Sequence, residues 1–338
     1  MSVVTALIND LRSQDKDKRY YAVQRLGQIR HPAALPALLD ALHDREWNMR
    51  VQVVNALGAI GSEQAVEPLA QMLTQDRSGN VRKAVVDALG TIGHESSTEA
   101  LVNALRHDDS QRVRRAAARA LTQIKAASAV TELIEALRRD ENVYVRRAIA
   151  SALGEIKGTQ AVRGLVETLA ADENSYVRRS AAEALSHIGD AEAVEGLVEA
   201  LAADECSYVR HAAAEALGTI GDINALEGLV HALLSDDNSY VRWASAHALG
   251  RISSPAATPE LLIALSRDDN SYVRWAAAHA LWEIGEEAME IIIALLQHED
   301  AEARKTAYEG LSWLTVEHDG NQTADTLDTI INPGQWLN

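Results

Sequence analysis

Asp172-Glu173-Asn174-Ser175-Tyr176-Val177-Arg178-Arg179-Ser180-Ala181-Ala182-Glu183-Ala184-Leu185-Ser186-His187-Ile188-Gly189 is one copy of a phrase that returns every 32 residues. Its arginine recurs as Arg50, Arg82, Arg114, Arg146, Arg178, Arg210, Arg242 and Arg274. Six residues before each stands an aspartate: Asp44, Asp76, Asp108, Asp140, Asp172, Asp204, Asp236 and Asp268. Ten residues after each stands an isoleucine, from Ile60 to Ile284. Such a period is the signature of stacked two-helix units. Upstream of the phrase, Ala161, Val162, Leu165, Val166 and Leu169 fall at helical spacing and predict a first, amphipathic helix. Asp172 to Ser175 reads as a polar turn, with Ser175 as the N-cap of a second helix. Val177, Ala181, Ala184, Leu185 and Ile188 mark the buried face of that helix, and Gly189 ends it.

The expectation is an all-α, right-handed α-solenoid of about ten such units, rising roughly 10 Å per unit at ordinary helix spacing. Residues 1–315 form the repeat array. The end units, 1–30 and 286–315, depart from the pattern as capping repeats do: the first lacks the aspartate six before Arg19, and the last places Arg304 only 30 residues after Arg274. Residues 316–338 read as a polar tail in which Ile330, Ile331 and Trp336 are positioned to tuck against the last unit. Pro32, Pro36, Pro255 and Pro259 fall early in first helices, where proline is tolerated. Pro68 lies deeper and is expected to bend its helix.

Composition narrows the function. Apolar residues make up 47%, but phenylalanine is absent and aromatics are 4%, so small side chains build the core. The net charge of −17 disfavours nonspecific binding to nucleic acid or an anionic membrane. No apolar run is long enough to span a bilayer. Met1-Ser2-Val3-Val4 is not a basic segment followed by an apolar stretch, and Cys206 is the single cysteine. Both point to a cytoplasmic protein.

The phrases from Tyr176 to Leu185 and from Tyr208 to Gly221 resemble HEAT repeats, and more narrowly the short alanine-rich units of phycobilisome lyase-type proteins. That resemblance implies second helices on a concave face and first helices on a convex one. It also implies either a plain binding scaffold or a bilin lyase or isomerase subunit. HEAT-type di-iron hydroxylases carry His-Glu pairs on their helices; the matching position here is His211-Ala212.

The recurring Asp/Arg positions (Asp76, Arg82, Asp108, Arg114, Asp140, Arg146, Asp172, Arg178, Asp204, Arg210, Asp236, Arg242, Asp268 and Arg274) read as a structural staple. In this reading each aspartate binds backbone N–H groups and pairs with the arginine of the helix that follows it. Tyr144, Tyr176, Tyr208, Tyr240 and Tyr272 are expected to pack along one edge of the stack, with a partner site there as the alternative.

Function is sought where the copies differ. The first, fifth and ninth positions after the ladder arginine share a stripe opposite the core. Its middle is cationic, with Arg115, Arg119, Arg147 and Arg179. Toward the C-terminus it holds His211, Trp243, His247, Trp275, His279 and Trp313, with Trp282 beside it. Tryptophan and arginine are the favoured anchors of interfaces. No nucleophile–base constellation, phosphate loop or three-ligand metal set is legible, so neither catalytic nor metal-binding residues are assigned. The sequence therefore reads as a non-catalytic scaffold that holds a protein client in a concave groove, without a cofactor. The alternative is a phycobilin lyase or isomerase subunit that binds a linear tetrapyrrole non-covalently and presents it to a client cysteine.

Overall fold

A computed structural model describes residues 3–317, with side chains through Glu309. The Trp313 side chain and the tail residues Ile330, Ile331 and Trp336 lie outside what is described. Every regular element among the described residues is helical. None of the described helices is long and apolar enough to cross a membrane. The chain divides into two compact units, Met1–Thr168 and Leu169–Asn338, each an α-solenoid of stacked helix pairs.

One repeat of the second unit shows the construction. A 3-10 turn, Ala191–Ala193, leads into the first helix, Val194–Ala203; a short turn follows, then the second helix, Ser207–Ile220. Gly221 closes the pair in the left-handed region at φ 73°, where a Cβ would be strained. Leu197 and Leu201 from the first helix, and Val209, Ala213 and Leu217 from the second, are buried. Neighbouring second helices approach closely enough that small residues are required: a Cβ built on Gly218 would lie 2.6 Å from the Ala248 Cα.

In the internal repeats a 3-10 turn leads into the first helix, whereas Glu286–Leu296 follows Gly285 directly. Two local expectations are corrected. The N-cap is the asparagine one residue before the expected serine: Asn174 accepts from the Tyr176 N–H, and Asn142, Asn238 and Asn270 accept from the corresponding tyrosines. Cys206 occupies that cap position without a side-chain capping bond. Pro68 is the third residue of Val66–Gln75, inside the first turn, where its missing N–H breaks no helical bond.

The Asp/Arg ladder is a staple, but it joins successive repeats. Arg210 donates from Nε to Asp236 Oδ2 at 2.7 Å and from Nη2 to Asp236 Oδ1 at 2.9 Å. Asp236 belongs to the following repeat, 26 residues on, instead of the turn that precedes Arg210. The remaining Nη1 donates 3.0 Å back to the backbone carbonyl of Asp204, in the arginine's own repeat. Arg50–Asp76, Arg82–Asp108 and Arg114–Asp140 repeat this fork in the first unit, and Arg178–Asp204 and Arg242–Asp268 in the second. Each aspartate also accepts the N–H two residues ahead, as Asp236 does from Asn238 at 2.8 Å. The expected pairing within one repeat fails because the same-repeat contact is made by the aspartate carbonyl, leaving the carboxylate to face the preceding repeat.

The terminal pair is built differently. The last helix, Ala301–Glu317, packs mainly on Thr258–Arg267 and Glu286–Leu296, and touches the preceding second helix, Ser271–Ile284, only lightly. Trp282 stands on Ser271–Ile284 at the position held by Gly218 and Gly250 in earlier repeats. Those glycines admit the next helix; a Cβ on Gly250 would meet the Ala280 Cα at 2.9 Å. An indole in that place bars the same approach and stays 64% exposed.

Two outcomes follow. Cys206→Asn restores a capping acceptor and is expected to raise the urea midpoint, worth about 1 kcal/mol; an unchanged midpoint would contradict the assignment of Cys206 as a cap position. Burial alone would raise the carboxyl pKa of Asp76 and Asp236, but hydrogen bonds from Arg50 and Arg210 and from backbone N–H groups outweigh it, holding both below the ordinary value. A depressed folded-state pKa contributes stability that is complete above the unfolded value of about 3.9 and is lost as pH falls through the folded one. Acid unfolding monitored by circular dichroism should therefore set in below about pH 4, and Asp236→Asn should flatten that acid limb.

Candidate functional site

The stripe predicted from the repeat phase is present on the second helices of each unit. In the first unit Arg115 and Arg119 rise from Gln111–Gln123 and Arg147 from Val143–Ile156; all three are exposed. None of them makes an ion pair among the described residues, whereas Lys83 on the preceding second helix is paired to Asp87 at 2.5 Å. In the second unit Arg179 is exposed but bonds Glu183 one turn on, Nε to Oε1 at 2.7 Å. It is thus the least available of the four cations.

The second unit concentrates rings. The one-turn spacing of Trp243/His247 and Trp275/His279, multiplied by the close approach of adjacent helices, brings six rings into one continuous ladder. His211 stacks on Trp243 at 6.1 Å with an interplanar angle of 5°. Trp243 meets His247 edge-on at 4.5 Å. His247 touches both Trp275 and His279, at 5.8 and 5.6 Å. Trp275 stacks on His279 at 5.4 Å, and His279 reaches Trp282 at 6.4 Å. Trp243 and Trp275 do not cover one another as core: His247 stands between them, and Trp275 remains 45% exposed.

Two ring nitrogens in this ladder, His247 Nε2 and His279 Nδ1, are shielded from solvent and have no hydrogen-bond partner. Glu283, one turn beyond His279 on the same helix, lies 3.7 Å from that Nδ1, beyond hydrogen-bond reach. Glu215 stands similarly, 3.9 Å from His211 Nδ1. Both carboxylates stand one turn beyond their histidines, an i+4 spacing already legible in the sequence. Burial, with the neighbouring His279 and against the opposing pull of Glu283, holds the His247 imidazole below its usual pKa. Among the described residues no group of three histidine, cysteine, aspartate or glutamate side chains is arranged to hold a metal ion. The arrangement can stack flat groups on its exposed indoles, Trp275 and Trp282.

The tyrosines contradict the expectation that they pack along an edge. Tyr144 in the first unit and Tyr176, Tyr208, Tyr240 and Tyr272 in the second are 61% to 74% exposed.

The profile of HEAT repeats matches residues 4–79, 66–137, 130–218, 194–282 and 258–333. A bilin biosynthesis protein of Mastigocladus laminosus, PecE, is 43% identical over 56 residues; the match spans 16% of this chain and only 21% of that protein. Among solved structures, Kap121p is similar with a TM-score of 0.63 at 14% identity, over 97% of this chain and 43% of that one. Importin beta is similar with a TM-score of 0.61 at 17% identity, over 92% of this chain and 50% of that one. At these identities the two structures speak for the fold alone.

The folded-state depression of the His247 pKa has a stability consequence with a definite sign. The unfolded histidine takes a proton near pH 6.5 and the folded one only at lower pH, so acidification through that window favours unfolding. Thermal midpoints measured at pH 7.5 and pH 5.5 should differ less in His247→Gln than in the wild type; an equal loss in both would remove the buried imidazole from the account.

Proposed function

The chain belongs to the HEAT-repeat family, and we propose that it is a non-catalytic scaffold whose second-helix face, concave by family resemblance, holds a protein client. The supporting observation is the six-ring ladder from His211 to Trp282, with two partly exposed tryptophans at its C-terminal end. Buried-quality aromatic contacts left open to solvent cost hydration free energy and are characteristic of binding surfaces. In the first unit, Arg115, Arg119 and Arg147 present exposed guanidinium groups without ion pairs, which are suited by themselves to steering and orienting acidic partners. Arg179, already bonded to Glu183, has a smaller part.

A second reading has its own support. The 56-residue likeness to a bilin biosynthesis protein favours a subunit that binds a linear tetrapyrrole and presents it to a phycobiliprotein cysteine. A flat conjugated ligand suits the exposed indole faces of Trp275 and Trp282.

Titration with biliverdin separates the two. The tetrapyrrole reading expects a shift in visible absorbance and quenching of tryptophan fluorescence, both abolished in Trp243→Ala/Trp275→Ala; a flat titration with wild type rejects it. The scaffold reading expects partners captured from a source lysate by wild type to be lost from Arg115→Glu/Arg147→Glu and from the tryptophan variant. Identical recovery by all three proteins rejects the assigned face.

A further inference from the structure

The exposed tyrosines form a second surface that helix formation does not account for. In the second unit Tyr176, Tyr208, Tyr240 and Tyr272 open four successive second helices and are 64% to 74% exposed. Their backbone N–H groups serve the caps where an asparagine is present. Among the described residues their rings make no aromatic contact and their hydroxyls no hydrogen bond. In a first helical turn the dipole favours a carboxylate, and propensity favours alanine or glutamate; tyrosine offers neither advantage. One exposed tyrosine is ordinary, but the same exposed ring on four adjacent helices is a continuous row.

Carboxylates accompany the row. Glu205, Asp237 and Asp269 sit in the turns just before Tyr208, Tyr240 and Tyr272, with side chains 86% to 90% exposed. Each bonds a ladder arginine of the preceding repeat through one oxygen. The edge therefore presents aromatic faces beside outward negative charge, on a chain of net charge −17. That combination is complementary to cationic side chains, which bind aromatic faces and carboxylates alike.

Spacing selects the conformation of the partner. Packed helices lie about 8–10 Å apart. A polyproline II segment advances about 9 Å for every three residues, so every third side chain meets the next tyrosine. A β-strand returns to the same face about every 7 Å and drifts out of step within two helices. We propose that the tyrosine edge of the second unit binds a basic polypeptide segment in the polyproline II conformation, with a lysine or arginine at every third position. This surface is the rim formed by the starts of the second helices, and the inference does not depend on what occupies the ring ladder.

Fluorescence anisotropy at about 0.15 M salt, with a labelled peptide of four Lys-Pro-Pro triplets, tests it. Wild type should bind this peptide, should bind a Gly-Ser-Lys peptide of equal charge more weakly, and should not bind a Glu-Pro-Pro peptide. Tyr208→Ser/Tyr240→Ser should weaken the Lys-Pro-Pro complex about tenfold, the loss of two cation–π contacts. Both substitutions are at exposed positions, and an unchanged circular dichroism spectrum checks that the helices remain. No binding by wild type, or equal binding by the double variant, overturns the proposal; equal affinity for the flexible lysine peptide overturns its polyproline II element.

Discussion

The bidentate bond from a ladder arginine to the aspartate of the following repeat, made by Arg50, Arg82 and Arg114 in the first unit and by Arg178, Arg210 and Arg242 in the second, is the interaction on which the rest depends. A single helix pair cannot cover its own apolar face, so its stability is tied to the pair beside it. The guanidinium fork fixes that neighbour: Nε and Nη2 hold the next repeat's carboxylate while Nη1 holds the carbonyl of the arginine's own turn. One side chain thereby ties two successive turns. A lysine has no planar fork and could not make the same three-point link. Because Arg178 and Asp204 are less than a tenth exposed, removing either leaves its partner in a poorly hydrated place, which is costlier than losing a surface pair.

With the register clamped in this way, adjacent second helices come so close that small residues line their contact, and at Gly218 and Gly250 a Cβ would meet the next helix's backbone within 3 Å. The same approach carries the opposite stripe along. Residues one helix apart are pressed into ring contact, and a repeated tryptophan and histidine become one ladder of six rings. Trp282 ends this regime. By replacing the packing glycine it keeps the next helix off, and the last helix settles on other neighbours. The tryptophan that breaks the stack is therefore also the most exposed indole of the ladder.

Much of this was legible in residue order. The recurring arginine, aspartate and isoleucine set the phase, and the phase alone placed Trp243, His247, Trp275 and His279 on one stripe apart from the core. Other features were not legible. Asn174 and Ser175 are both good cap residues, and only backbone geometry shows which side chain accepts the bond. Arg179 looked as available as Arg147 until its rotamer joined it to Glu183. The tyrosines looked like packing residues because recurring aromatics usually are, but their rings stand mostly in solvent.

Periodicity by itself determined the all-α repeat architecture and which residues share a helical face, because helical geometry is a local property of spacing along the chain. Tertiary structure decided the partner of each ladder aspartate, the contact order of the rings, the isolation of the His247 and His279 nitrogens, and the exposure of the tyrosines. The ladder bond spans 26 positions and the ring contacts between helices 28 or 32, and a pattern that repeats identically in every copy carries no information about which copy a side chain will reach.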